Sequence, residues 1–147
     1  MDRTFKGRAV ISGMLQGEAL VGRMGFNAYA SFYDCLREGA RSAVCADSGN
    51  LELFGRRLDG KILCIPKTTG STSAGAVWQR TARLGVAPIA VLFSQVIDPL
   101  AAGGLIIADL WAGSRIVTID QLGDEFLQTV QSGDQLAILE DGRVIVG

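Results

Sequence analysis

The pattern of apolar positions is clearest in the middle of the chain. Residues 61–65 and 87–93 are almost continuously apolar, which is typical of strands buried on both faces. Between them, apolar residues recur every three or four positions from Ala74 to Leu84, and Gly85 follows as a C-cap. This order predicts a strand–helix–strand unit with two parallel strands.

Both ends of the chain alternate apolar and polar residues, as half-buried strands do. Residues 5–11 and 19–21 are predicted to form two short strands that pair with each other. Residues 135–139 and 144–146 flank an Asp-Gly turn, the signal of a β-hairpin. We therefore expect antiparallel pairing at both ends.

The segment between residues 22 and 60 is interrupted by glycines and gives weaker signals. It predicts a helical turn within 28–36, a short strand over 42–46 and a charged turn over 55–60. These elements lead from the first strands into the apolar run at 61–65.

Beyond residue 93 the pattern predicts a second, shorter copy of the central unit. Asp98 is expected to cap a brief helix that Gly103 and Gly104 end, and residues 105–108 are expected to form a third buried strand. A strand over 115–119 and a short helix, capped by Asp120 or Asp124 and ending near Gln131, come next. The chain is thus predicted to be one α/β domain over residues 1–147, with a central parallel sheet, a second antiparallel sheet and a few helices.

The composition of the chain limits which partners and which catalytic sites are expected. The 147 residues carry a formal net charge of −1, which gives no electrostatic reason to expect nucleic acid or an acidic membrane as a partner. The chain has no histidine, so Ser-His-Asp and Cys-His nucleophilic sites and histidine-bound metals are excluded. General acid–base catalysis by this chain would need carboxylates, Lys, Tyr, Cys or an activated hydroxyl.

Cysteine spacing and hydropathy predict a cytoplasmic protein. Cys35, Cys45 and Cys64 are odd in number and form no C-x-x-C pair, so we expect buried free thiols. No apolar run approaches the about 20 residues of a membrane span, and Met1-Asp2-Arg3-Thr4 opens without an apolar leader.

The turn between the first buried strand and the predicted helix is the candidate for chemistry. Small and hydroxyl residues fill positions 68–75, where the backbone N–H groups and the dipole of the helix favour an anion. Serine and threonine also commonly cap helices, so Ser71, Thr72 and Ser73 could serve as caps of the helix instead of taking part in chemistry. Both interpretations stay open.

The order of several blocks along the chain resembles the small subunit of the aconitase X group. The likeness covers almost the whole sequence, including Lys6-Gly7-Arg8 and Gly17-Glu18-Ala19 near its start. The main blocks are Gly55-Arg56-x-Leu58-x-Gly60-Lys61, Pro66-x-x-x-Gly70-Ser71, Gly85-Val86-Ala87-Pro88 and Asp98-Pro99-x-x-Ala102-Gly103.

The resemblance implies the swivelling β/β/α fold and half of a hydro-lyase site. Carried over to this sequence, Ser71 would be the catalytic base, and Gly70, Thr72 and Ser73 would contact the substrate carboxylate. An iron–sulfur cluster would be held by a large subunit of about 400 residues, against 147 here, and not by Cys35, Cys45 or Cys64. This chain alone would be inactive.

Two substrates are implied for this group, cis-3-hydroxy-L-proline in bacterial members and mevalonate 5-phosphate in archaeal ones. The archaeal turn has glycine where this chain has Thr68. A glycine pair also usually follows the Ser-Phe block, at the place where this chain has Tyr33-Asp34-Cys35, and both departures favour the hydroxyproline branch. A non-catalytic anion-binding module is the alternative. A nucleotide-binding domain is poorly supported, because the turn lacks the P-loop lysine and no G-x-G-x-x-G opens the helix.

Overall fold

The computed structural model describes residues 2–70, 73–111 and 113–147. In this part of the chain the strands are β1 (Arg3–Lys6), β2 (Arg8–Ile11), β3 (Leu15–Val21), β4 (Phe26–Asn27), β5 (Ile62–Ile65), β6 (Thr68–Thr69), β7 (Ala90–Phe93), β8 (Val117–Asp120), β9 (Gln135–Ile138) and β10 (Arg143–Val146). The α-helices are α1 (Ala28–Phe32), α2 (Ala74–Leu84), α3 (Pro99–Trp111) and α4 (Asp124–Thr129).

Eight strands form one mixed sheet in the order β1-β10-β9-β3-β5-β7-β8-β2. β3, β5, β7 and β8 are mutually parallel and lie in the middle, while the pairs toward both edges are antiparallel. The predicted α/β class is confirmed. The predicted antiparallel strands are present as β1, β10, β9 and β3, but they are joined to the parallel strands through β3 and so belong to the same sheet. The small separate sheet pairs β4 with β6 and is parallel.

The two edges of the large sheet are joined by one residue. β1 pairs with β10 and β2 pairs with β8, and only Gly7 separates β1 from β2 along the chain. The sheet therefore closes on itself, and the predicted pairing of residues 5–11 with 19–21 is wrong. Alternation along a strand reveals which faces are buried, whereas the choice of partner depends on distant residues.

An ion pair between the exposed Arg8 side chain and the buried Asp120 carboxylate fixes this closure. The Asp120 carboxylate accepts hydrogen bonds from Arg8 Nε at 3.0 Å, Arg8 Nη2 at 2.7 Å and the Ile97 N–H at 2.9 Å. Burial acts to raise the pKa of Asp120, but these hydrogen bonds outweigh it and hold the pKa below its ordinary value. Asp120 is thus a structural carboxylate and not a helix cap.

The core has two layers, one on each face of the parallel strands. Leu63 and Ile65 of β5 pack in the layer beneath α1, α2 and α3, whereas Ile62 and Cys64 pack in the layer with α4 and the hairpin β9–β10. In the first layer the Trp78 ring lies 5.7 Å from that of Phe26 and 5.5 Å from that of Phe32, measured between centroids.

The central unit was predicted closely. β5 and β7 are parallel and fully buried, and α2 ends at Gly85, which has a left-handed backbone conformation. The C-terminal hairpin is confirmed, and so is helical structure within 28–36, where α1 continues into a single 3₁₀ turn. The charged turn at 55–60 also lies before β5 as predicted.

Three predictions on either side of that unit are wrong. Residues 105–108 belong to α3, which runs without a break through Gly103 and Gly104, so the third parallel strand is β8. The segment 42–46 makes only an isolated bridge, from Val44 to Arg57. The N-cap of α4 is Gly123, and Asp124 is its first residue.

Candidate active site

The candidate turn leaves the sheet at the carboxyl end of β5, which is where open α/β sheets place their ligands. Its first half is held by β6, since Thr68 and Thr69 pair with Phe26 and Asn27 of β4. The Phe26 N–H also donates to the Lys67 carbonyl oxygen at 2.8 Å. The turn is therefore fixed against the chain that enters α1.

Gly70 lies where no other residue fits without strain. Its φ of +103° is in the region that disfavours L side chains, and a Cβ placed on it would come within 2.8 Å of the Asn27 side chain. Asn27 is itself fixed, because its Oδ1 accepts a hydrogen bond from the Ala30 N–H at 3.1 Å and so caps α1. The close approach of Asn27 to Gly70 was not predicted from the sequence.

Of the four predicted site residues, the structure describes two. Gly70 and Ser73 are exposed, and the Ser73 carbonyl oxygen accepts a hydrogen bond from the Val77 N–H at 3.2 Å at the start of α2. Ser71 and Thr72 lie outside the described residues. The roles assigned to all four, and the choice between capping and chemistry, stay predictions.

The start of α3 is tied to the same turn. The Thr68 hydroxyl donates to Asp98 Oδ1, and Asp98 Oδ2 accepts a hydrogen bond from the Ala101 N–H at 2.9 Å. Asp98 caps α3 as predicted. The bond to Thr68 joins residues 30 positions apart and has no local signal in the sequence.

α2 and α3 approach each other almost backbone to backbone near this corner. A Cβ placed on Gly104 would overlap the Gly75 carbonyl oxygen, and one on Gly75 would lie 2.8 Å from the Leu100 carbonyl oxygen. The N-terminal parts of both helices therefore lie side by side next to the turn. The N-terminal end of each helix carries a partial positive charge, which favours an anionic substrate group at this corner.

The described residues do not fit an iron–sulfur cluster. Cys35, Cys45 and Cys64 are buried and free, and burial raises the pKa of both the Cys35 and Cys64 thiols, whereas cluster ligation needs thiolates. Within residues 2–70, 73–111 and 113–147, no group of three or more Cys, Asp or Glu side chains is placed to hold a metal ion.

Comparison with known proteins identifies the family. Residues 4–146 match the aconitase X swivel domain. The chain belongs to this family. The resemblance inferred from the sequence blocks is therefore confirmed at the level of the family, while the bacterial hydroxyproline type is not.

Relatives of this aconitase X swivel domain bear two kinds of name. This chain is 28% identical over 134 residues to the phosphomevalonate dehydratase small subunit of Methanocella arvoryzae, and the match covers 91% of each chain. It is 30% identical over 142 residues to cis-3-hydroxy-L-proline dehydratase of Pseudomonas aeruginosa, covering 93% of this chain but 22% of that longer one.

The fold of this aconitase X swivel domain is also known from a solved structure. The crystal structure of Thermococcus kodakaraensis aconitase X in its holo-form superposes with a TM-score of 0.82 at 23% identity, covering 99% of this chain and 98% of that one. At this identity the likeness supports the fold alone.

Proposed function

We propose that this chain is the small subunit of an aconitase X-type dehydratase, with Ser71 as the base of a site completed by a larger subunit. Family membership and the names of the relatives support the reaction class. The observation that carries the assignment of Ser71 is the corner itself. Gly70 and Ser73, on either side of Ser71 and Thr72 in the sequence, are exposed beside the starts of α2 and α3.

The proposed chemistry is a β-elimination. The deprotonated Ser71 oxygen takes a proton from the substrate carbon next to the one that bears the hydroxyl, and the C–H electron pair forms the double bond. The C–O bond breaks, and the leaving hydroxide becomes water by taking a proton from solvent. A serine hydroxyl is a very weak acid, so negative charge on its oxygen needs stabilisation, and Ser71 lies three residues before the first residue of α2. Amides and hydroxyls of Gly70, Thr72 and Ser73 orient the substrate carboxylate.

The cluster that the family implies belongs, in this proposal, to the larger subunit. Nothing in the described part of this chain fits it, so the contribution of this chain is the base and the substrate contacts. The word "small subunit" in the names of relatives supports the existence of that partner.

The substrate we propose first is cis-3-hydroxy-L-proline, and mevalonate 5-phosphate is the second candidate. Identities of 30% and 28% to the respective relatives do not separate the two. Thr68, at a position where the archaeal turn has glycine, is engaged with Asp98, which gives this turn a contact that glycine cannot make. Both substrates therefore belong in the assay.

The test is Ser71→Ala in the complex with the aconitase X large subunit from the same organism. General-base catalysis contributes about 10²- to 10⁴-fold, so turnover is expected to fall by that factor while binding of the large subunit is unchanged. Ser48→Ala, at an exposed position in the loop before β5, is the matched control and should retain full turnover.

Full activity of the Ser71→Ala complex would end the assignment of the base. Binding of a simple carboxylate or phosphate by the chain alone, with no turnover of either substrate in the wild-type complex, would instead support the alternative of an anion-binding interaction module.

A further inference from the structure

The outward side of α3 is apolar along its whole length. Successive residues of a helix are 100° apart, and the buried residues Ala101, Gly104, Leu105 and Ala108 lie on one side of α3. Ile106 and Leu110 lie on the opposite side, with exposed fractions of 39% and 70%, and Leu100 and Trp111, with exposed fractions of 46% and 81%, lie along one edge of that side. We call these four residues the α3 outer face.

No charged side chain interrupts the α3 outer face. The one charged residue of the helix, Asp109, lies at its flank and pairs with Arg115 Nη1 at 2.7 Å. A helix that is apolar on all sides is ordinarily buried on all sides, and an exposed apolar surface of this kind marks an interaction site. α3 has 13 residues, and no described helix is both long and apolar enough to cross a membrane.

We propose that the α3 outer face binds the larger subunit of the dehydratase through an apolar, uncharged surface. Relatives are named small subunits, and in the Pseudomonas relative this domain is 22% of one long chain, so most of that chain lies outside the domain. A small subunit needs a surface that contacts its larger partner. The α3 outer face is an apolar surface that its own chain leaves exposed.

The position of α3 relative to the turn supports this occupant. Asp98, which caps α3, is bonded to Thr68 of the turn, and the Leu100 carbonyl oxygen lies beside Gly75. The α3 outer face therefore begins next to the residues that flank Ser71. A partner that completes the proposed site reaches the first turn of α3 at the same time. The inference rests on the proposed function, since that function supplies the partner.

The experiment measures how tightly the large subunit from the same organism binds Leu110→Lys, compared with the wild-type chain, by calorimetry. A lysine placed in a desolvated apolar contact is expected to weaken binding at least about 30-fold. Leu51→Lys is the matched control, because Leu51 is an 85% exposed leucine outside α3 and should bind within about twofold of wild type. Circular dichroism and thermal melting verify that both variants fold.

Turnover separates this inference from the proposed function. At saturating large subunit, Leu110→Lys should reach the wild-type turnover per complex, because the turn is unchanged. If Leu110→Lys binds as tightly as wild type, or if both lysine variants lose affinity equally, the docking surface is wrong while the proposed function stands. If the wild-type complex forms but dehydrates neither substrate, the proposed function fails and the docking surface stands.

Two further outcomes would overturn the inference. One is failure of the wild-type chain to bind the large subunit at all. The other is a self-dimer, detected by light scattering, that Leu110→Lys dissociates while its affinity for the large subunit is unchanged, because the α3 outer face would then bind a second copy of this chain.

Discussion

α2 and α3 lie against each other and begin at the same corner, yet their outward sides differ completely. α2 presents Gln79, Arg80 and Arg83 away from its buried stripe, as a helix facing water does. α3 presents Ile106, Leu110 and other apolar residues. Since both helices cover the same layer of the core, packing within the chain does not explain the difference.

The difference separates two tasks within one region of the molecule. The starts of both helices border the turn that holds Gly70 and Ser73, and this is where we place the chemistry. The length of α3 beyond that corner provides the surface for a partner. Variants that disturb the packing of the two helices, the tie between turn and α3, or the outer side of α2 should therefore give distinct results.

The largest stability effect is expected from Gly104→Ala. Alanine normally favours a helix interior over glycine by about 1 kcal/mol, but here the added methyl group would overlap the Gly75 carbonyl oxygen. Forcing the helices apart is expected to lower the free energy of unfolding by about 2–3 kcal/mol, measured by chemical denaturation.

Gly103→Ala is the matched control for Gly104→Ala. A Cβ on Gly103 meets no described atom within 4 Å, so Gly103→Ala should leave the stability unchanged or raise it by up to about 1 kcal/mol. Equal effects of the two substitutions would show that α2 and α3 are not held in close contact.

A smaller effect is expected from Asp98→Ala, which removes the cap of α3 and the acceptor for the Thr68 hydroxyl. The free energy of unfolding should fall by about 1–2 kcal/mol, and turnover of the complex should fall because the turn loses its tie to α3. Affinity for the large subunit should be unchanged, since the α3 outer face is intact.

Asp98→Asn keeps an oxygen that can cap the helix and should lose less stability than Asp98→Ala. A wild-type turnover for Asp98→Ala would mean that the link from Thr68 to α3 does not position the site.

The smallest effect is expected from Arg83→Ala on the outer side of α2. Arg83 Nη2 lies 3.7 Å from the Glu38 carboxylate, and both side chains are largely exposed, so the pair contributes less than about 0.5 kcal/mol. Denaturation and calorimetry should show wild-type stability and wild-type affinity for the large subunit. If Arg83→Ala weakens that affinity as much as Leu110→Lys does, the distinction between the two helices is lost.

The part of the fold that followed from the sequence is the part with strong local signals. The apolar runs of β5 and β7, the periodic stripe of α2 and the Asp-Gly hairpin all have a pattern that only one kind of element satisfies. They place the turn at 68–75 at the carboxyl end of β5, so the location of the candidate site was predictable.

α3 shows where local signals mislead. Gly103 and Gly104 suggest the end of a helix, and the apolar run 105–108 suggests a buried strand, because periodicity cannot distinguish a short buried strand from an all-apolar helix. The structure explains Gly104 by its contact with Gly75, which lies 29 positions earlier in the chain. A contact of this kind has no local signature.

Sheet closure and the fixing of the turn were unpredictable for the same reason. The pairing of β2 with β8 depends on Arg8 and Asp120, which are 112 positions apart. The Thr68 bond to Asp98 also joins distant segments. The sequence blocks nevertheless pointed to the correct family, because the order of several short blocks is more specific than any one of them.

The central claim is that one active site is divided between this chain and a larger subunit. The most direct measurement is a titration of a fixed amount of large subunit with wild-type chain, following dehydration of cis-3-hydroxy-L-proline and of mevalonate 5-phosphate. We predict no turnover by either protein alone and a rise in turnover that levels off at one chain per large subunit, with one of the two substrates. Turnover by the large subunit alone, or no turnover of either substrate at saturation, would contradict the claim.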